Sequence, residues 1–369
     1  MLSRMHVDNF RCLVNFDLKL DRLNLLLGEN GAGKTTVFEV LRRLQGFLGG
    51  TLNVDAAFPA QDLTRWQQLG IQNFELELKQ GDDVYSYGLS IEHDADRRRR
   101  RVNRESLLMN QRILFDFQGG TAHLYRDDFT TGPEVIFDWS RSGVASLQAR
   151  TDNKMLTRFR EQVARMVIVS PCPVNMGGES LEEGRYLART AENFSSWYRY
   201  VSQEHQGNVV DLTNELRDVL PAFDSFRLPE LSERTKVLKV YFRSGSQATT
   251  PLPYNFDELS DGQRQLIALY CMLYGLKGED YSLFLDEPDN YVALREIQPW
   301  LTSIEDACGD AIPQAVLISH NPLIIDYLSG AACRWFDRPD NGPSRALDHS
   351  PAPVEGLKTS ETIARGLNS

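Results

Sequence analysis

The run Gly28-Glu29-Asn30-Gly31-Ala32-Gly33-Lys34-Thr35 has the spacing G-x-x-x-x-G-K-[ST], with Thr36 following it. Glycines at these positions let successive backbone N–H groups curl around an anion, and a helix opening at Lys34 adds its positive end. Lys34 has the length to reach the β- and γ-phosphates of a nucleotide, and the Thr35 hydroxyl is a hard oxygen ligand for Mg²⁺. The alternative is a Gly-rich turn that happens to precede a lysine. The strand-like run before the loop and the helical run after it weigh against that.

Three further groups of residues could act with such a loop. Leu283-Phe284-Leu285-Asp286-Glu287 is an apolar run that ends in two carboxylates, at the end of a strand where open parallel sheets bind ligands. Asp286 is suited to holding Mg²⁺ and Glu287 to accepting a proton from an attacking water. Taken alone, such a pair more often marks a solvated turn. Leu259-Ser260-Asp261-Gly262-Gln263 stands before a helical run, where Ser260 and the N–H groups around Gly262 could meet a phosphate or simply cap the helix. Ser319-His320-Asn321-Pro322 follows the apolar run AVLI, where a single His is ordinarily a structural residue.

These residues require particular elements to carry them. LNLLL reads as a buried strand feeding the glycine loop, and VFEVLRRLQGFL as the helix after it. FELEL, VYSYGLSI, ILFDF, HLY and EVIFDW, between residues 71 and 138, alternate as an antiparallel meander would. Residues 151–220 turn helical, including one helix spanning LEEGRYLARTAENFSSWYRYVSQEH, without a sustained heptad pattern. After residue 221, strand and helix runs alternate again. The expected organisation is a core of residues 1–50 and 221–337, a β-lobe over 51–150, a helical insertion over 151–220 and a tail over 338–369.

Composition narrows the classes. With 40 Lys+Arg against 51 Asp+Glu the net charge is −11, which argues against coating nucleic acid or anionic membrane through bulk charge. No run is long and apolar enough for a membrane span, and the start lacks the order of a signal peptide. Five scattered cysteines, with no C-x-x-C, point to reduced thiols in the cytoplasm rather than to a zinc site or a disulfide framework.

Taken in chain order, the glycine loop, LSDGQ, the LFLDE strand and the SHN histidine resemble the Walker A, signature, Walker B and switch-histidine motifs of the ABC-type ATPases, over roughly 1–50 and 250–335. That resemblance implies an α/β P-loop NTPase head with a mixed central sheet, an antiparallel β-lobe and a helical insertion. It implies ATP and Mg²⁺ as ligands, held by Gly28, Glu29, Asn30, Gly31, Ala32, Gly33, Lys34, Thr35 and Thr36, with the metal on Thr35 and Asp286. Glu287, His320 and Lys34 are then the catalytic residues, and Ser260 and Gly262 bind the ATP of an opposite subunit in a homodimer. Asp261 stands where the family's LSGGQ has Gly, which places a carboxylate near a polyphosphate. No Q-loop glutamine follows ARMVIVS, and Asp289 takes the place of the usual D-loop, with a role at the dimer interface.

Asn9-Phe10-Arg11 is similar to the opening of the RecF, OLD and chromosome-maintenance branch, where the arginine lies near the nucleotide, so Arg11 joins the binding residues. The segment after His320 is too short for the TOPRIM nuclease domain of OLD-type proteins. The resemblance is therefore to a stand-alone ATPase of the kind that works beside a nuclease or toxin effector in bacterial anti-phage or DNA-maintenance systems. The run Arg97-Arg98-Arg99-Arg100-Arg101 could meet DNA phosphates at a hairpin edge, or be a solvated charge run or a pairing surface for an acidic partner. Other readings are a nucleotide-gated binding or scaffold module and, less in keeping with the insertion, a transporter motor. The aromatic cluster Phe194, Trp197, Tyr198 and Tyr200 has the spacing of helix packing.

Overall fold

A computed structural model of the chain describes residues 1–94, 99–243, 250–329, 332–348 and 356–367. The chain forms two compact units, residues 1–166 with 331–351 and residues 167–330 with 352–369.

The first unit is built on an eight-stranded antiparallel sheet. Its order is Phe16–Lys19, Leu2–Asp8, Ile71–Gln80, Asp83–Asp94, Arg99–Met109, Arg112–Gln118, Thr121–Tyr125 and Thr131–Ile136. The meander between residues 71 and 138 is thus present, and it continues into the first two strands of the chain. Alternation explains it: along Asp83–Asp94 the residues Tyr85, Tyr87, Leu89 and Ile91 are buried while their neighbours are less so. The hairpin at Asn110 and Gln111 has positive φ at both residues, as a turn matched to the strand twist requires. Phe159, on helix Lys154–Ala164, packs its ring 5.5 Å from Tyr87 and 5.9 Å from Tyr85.

One buried polar cluster fixes this lobe. Glu105 has no exposure and accepts hydrogen bonds from the Ser142 hydroxyl at 2.6 Å, the Gly143 N–H at 2.7 Å and the Tyr87 hydroxyl at 2.9 Å. Burial raises its carboxyl pKa, and these three donors offset part of that cost.

The same unit holds the strand Leu23–Gly28, parallel to Ala332–Asp337, which in turn pairs antiparallel with Arg345–Leu347. LNLLLG is buried after its first residue, so the continuous apolar run reads as the two-sided burial of a parallel strand. Helix Lys34–Leu48 follows, with Val37, Phe38, Val40, Leu41, Leu44, Phe47 and Leu48 buried. Each such large apolar side chain contributes about 1.5–3 kcal/mol by leaving water.

The second unit carries the parallel strands Ser282–Asp286 and Ala315–Ile318, paired Leu283 with Ala315 through Asp286 with Ile318. Met166–Val169 flanks Ser282–Asp286 on its other side. Helix Asp261–Tyr274 is buried continuously from Gln265 to Leu273, and Trp300 of helix Leu294–Ala307 and Trp197 of helix Phe194–Glu204 are fully buried. A short antiparallel sheet of Phe223–Arg227, Lys239–Phe242 and Leu252–Asn255 completes it.

One expectation changes. The long helix over residues 181–205 is only Phe194–Glu204. The Asn193 side chain accepts from the Ala188 N–H at 2.8 Å and donates to the Tyr186 carbonyl at 2.9 Å, which offers the preceding chain a looped alternative to the helix. Ala191 has φ 57° there, incompatible with a right-handed helix. The run TKVLKVYF is divided between two sheets: Lys236–Val237 pairs with Glu179–Ser180, while Lys239–Phe242 pairs with Phe223–Arg227.

Candidate nucleotide-binding site

In the first unit the glycine loop joins the buried strand Leu23–Gly28 to the helix that opens at Lys34. Gly28 must be glycine: a Cβ there would stand 2.3 Å from the Phe336 carbonyl oxygen, on the neighbouring strand. Gly33 has φ 103°, and its Cβ would meet Ser344 Oγ at 2.7 Å and Cys12 Sγ at 3.0 Å. Lys34 is buried, and its ammonium donates to the carbonyls of Gly28 at 2.6 Å and Glu29 at 2.9 Å. The cation is therefore held across the loop. The first helical turn carries no acidic residue, so nothing there opposes an anion. Thr35 is exposed, and the Thr36 hydroxyl lies 3.8 Å from Cys12 Sγ.

Arg11 lies in the same unit. Its φ is 48°, its N–H donates to the Asp62 carbonyl at 2.8 Å, and its guanidinium donates to Asp62 Oδ1 at 2.6 Å. Asp62 is buried and also receives Arg43, and both arginines lie over the Phe10 ring, 5.4 and 5.2 Å from its centroid. Buried Asn9 donates to the carbonyls of Leu69 and Ile71, each at 2.7 Å, and accepts from the Thr64 N–H at 3.1 Å. Asn9-Phe10-Arg11 is thus a kinked junction that pins the loop between residues 62 and 71.

In the second unit, strand Ser282–Asp286 ends on the buried carboxylate of Asp286. Glu287 turns away with φ 51° while its N–H still donates to the Ile318 carbonyl at 2.9 Å. That local conformation directs its side chain near His320, with Nε2 3.6 Å from Glu287 Oε1. Strain at such a residue commonly accompanies function. Ser319, which the sequence did not single out for chemistry, donates its hydroxyl to Asp289 at 2.8 Å and accepts from the Asn321 N–H at 3.0 Å. Gln265, also missed, donates to the Pro288 carbonyl at 2.8 Å and so ties helix Asp261–Tyr274 to the segment after Glu287. Its signal was a glutamine on an otherwise apolar helical run.

Ser260 is the N-cap of that helix, accepting from the Gln263 N–H at 3.3 Å, while the Gln263 side chain accepts from the Ser260 N–H at 3.1 Å. The Asp261 carboxylate is paired with Arg264 at 2.5 Å. A Cβ on Gly262 would stand 2.8 Å from the Tyr291 carbonyl oxygen, so only glycine fits there.

Among the described residues no group of three or more His, Cys, Asp or Glu could hold a metal by itself. The Thr35 hydroxyl in the first unit and the Asp286 carboxylate in the second are each hard oxygens of the kind that Mg²⁺ takes. The arginine run is partly neutralised by its own unit. Arg100 pairs with Asp55 at 2.8 Å, Arg101 with Glu92 at 2.6 Å and Arg104 with Asp116 at 3.3 Å; Arg97 and Arg98 lie outside the described residues. Phe194, Trp197 and Tyr198 are buried, Phe194 stacking 4.9 Å from Phe256, so these aromatics are core.

This loop, strand and sheet arrangement defines a P-loop ATPase head of α/β type. A family profile described as an AAA ATPase domain matches residues 1–80. The OLD nuclease of Thermus scotoductus is 48% identical over 46 residues, 12% of this chain and 9% of that protein. The DNA replication and repair protein RecF of Shewanella loihica is 49% identical over 41 residues, 11% of each. The chain thus spans about a tenth of the length of these curated relatives. In fold it is similar to the SMC head domain from Thermotoga maritima, with TM-score 0.51 and 11% identity over 94% of this chain and 98% of that one. An SMC head bound to the C-terminal winged-helix domain of ScpA gives 0.55 and 11%, over 94% and 97%. Over its first part the chain is thus similar to RecF and OLD proteins, and its fold is that of an SMC-type ATPase head. Among the described residues no helix is long and apolar enough to cross a membrane.

Proposed function

We propose that this protein binds ATP with Mg²⁺, hydrolyses it to ADP and phosphate, and uses the cycle to open and close a homodimer in the cytoplasm. The observation that carries the reading is the phosphate loop, with buried Lys34 held over two loop carbonyls and an anion-compatible helix behind it. Incoming phosphates compete for that ammonium, and the loop N–H groups with Asn30, Gly31 and Thr36 hold them. Arg11, fixed by Asp62, adds a second cation. The Thr35 hydroxyl and the Asp286 carboxylate are the oxygens that would hold Mg²⁺, which when bound would supply charge neutralisation at the phosphates. Glu287 accepts a proton from the attacking water, and His320 orients that water and the γ-phosphate. Ser260 and the Gly262 N–H receive the γ-phosphate of the nucleotide held by the partner subunit.

The cycle would gate DNA or an effector protein such as a nuclease or toxin, in an anti-phage or DNA-maintenance role. The likeness to RecF and OLD proteins over the first part of the chain supports this. The ion-paired state of Arg100 and Arg101 leaves less free charge for DNA than the sequence run suggests.

Light scattering on the full chain tests the reading. With ATP and Mg²⁺, Glu287→Gln should become a stable dimer and Lys34→Ala should remain unchanged in mass. An ATP-independent mass for both, with no nucleotide bound, would overturn it.

A further inference from the structure

The phosphate loop has a cationic and aromatic attachment that the motifs do not include. The Gly31 carbonyl, at the tip of the loop, accepts a hydrogen bond from Arg338 Nη1 at 2.9 Å. Arg338 is locked by two more bonds, to the carbonyls of Gly342 at 2.8 Å and Asn341 at 3.3 Å. The same guanidinium lies 5.4 Å from the centroid of the Trp66 ring. All of these residues lie in the first unit. Trp66 is nonetheless 43% exposed.

Part of the Trp66 indole thus faces solvent, open to a ligand. Here the loop is fixed: Thr64 is bonded to buried Asn9, the Trp66 N–H reaches Thr64 Oγ1 at 3.5 Å, and Leu69 is bonded to Asn9 as well. Asn9 is two residues from Arg11. A rigid aromatic face, a guanidinium and the tip of a phosphate loop are therefore held together before any ligand arrives. Aromatic and guanidinium planes are the surfaces on which nucleobases stack, and a preformed platform loses little entropy on binding.

We propose that Trp66 and Arg338 form the stacking platform for the base of the nucleotide whose phosphates occupy the glycine loop. This rests on the phosphate-loop reading above. Arg338 has two tasks in it, to hold the loop tip through Gly31 and to present charge beside the stacked ring. The Trp66 face supplies affinity for the nucleoside part and none for the phosphates.

The test is isothermal titration of the full chain with Mg²⁺ and two probes, ATP and inorganic tripolyphosphate. Trp66→Ala should weaken ATP about tenfold or more while tripolyphosphate affinity stays unchanged, and Trp66→Phe should restore most of the loss. Arg338→Ala should weaken both, ATP by the larger factor. Tryptophan fluorescence of the wild type should change on adding ATP, and that change should vanish in Trp66→Phe, which retains the other tryptophans. Equal losses for ATP and tripolyphosphate in Trp66→Ala would mean a loop-shaping role only and overturn the platform. So would unchanged ATP affinity, or a fluorescence response that survives in Trp66→Phe. A wild type that binds neither probe would overturn the phosphate-loop reading itself.

Discussion

Glu287 Oε1 stands 3.6 Å from His320 Nε2, and the two are brought together by backbone geometry rather than by sequence proximity. Glu287 leaves its strand with φ 51° while its N–H bonds the last residue of the neighbouring strand, Ile318, two positions before His320. A carboxylate and an imidazole at that separation can share a water, which suits a base and its orienting partner. His320→Ala should therefore lower the rate of phosphate release by about a hundredfold with ATP affinity little changed. Rapid-quench kinetics with a parallel binding titration would check this.

Gly33→Ala should cost nucleotide binding more than Gly31→Ala. A methyl group at Gly33 meets Ser344 and Cys12, whereas at Gly31 nothing lies within 4 Å. Both positions have positive φ, so both pay backbone strain, but only Gly33 adds a clash under the first turn of the helix. An ATP titration of the two variants should show at least a tenfold loss for Gly33→Ala and a smaller one for Gly31→Ala.

Asp62 is buried with Arg11 and Arg43 both bonded to it. Asp62→Ala removes the buried carboxylate that Arg11 and Arg43 share, leaving Arg43 with Glu39 and the Ala57 carbonyl, and should destabilise the protein by about 1–3 kcal/mol. Arg11→Ala removes a half-exposed partner and should cost about 1 kcal/mol or less. Urea denaturation of the pair would separate these magnitudes.

His93 ties stability to acidity. Burial, with help from the charge of Arg100, pushes its pKa down to about 4 from 6.5. Its ring is within hydrogen-bond distance of Gln72 at 2.9 Å. The unfolded chain takes up this proton near pH 6.5 and the folded chain only near pH 4, so the contribution is present above 6.5 and is lost as pH falls toward 4. Thermal unfolding midpoints of wild type should drop faster over that window than those of His93→Gln.

Much of this site could be read from sequence because its parts are local. Strand, glycine loop and helix between Leu23 and Leu48 are contiguous, and the pattern of apolar residues and the glycine spacing lie in one window. The meander from Ile71 to Ile136 was legible for the same reason, since alternation and turn residues repeat at short range. What sequence could not show depends on distant partners. The pairing of Arg100 with Asp55 and of Arg101 with Glu92 turned an apparent block of free charge into ion pairs. The loop before Phe194 formed because the Asn193 amide closed on Tyr186 and Ala188, a competition that helical periodicity does not reveal. Arg338 meets Gly31 and Trp66 only because the strand Ala332–Asp337 runs beside Leu23–Gly28.

The most direct measurement is phosphate release from ATP by the purified chain, with Glu287→Gln and Lys34→Ala beside it, each also titrated with ATP. The expected result is Mg²⁺-dependent turnover in wild type, none in Glu287→Gln although it still binds ATP, and neither turnover nor binding in Lys34→Ala. Turnover that persists in Glu287→Gln, or ATP binding that survives in Lys34→Ala, would contradict hydrolysis at this site.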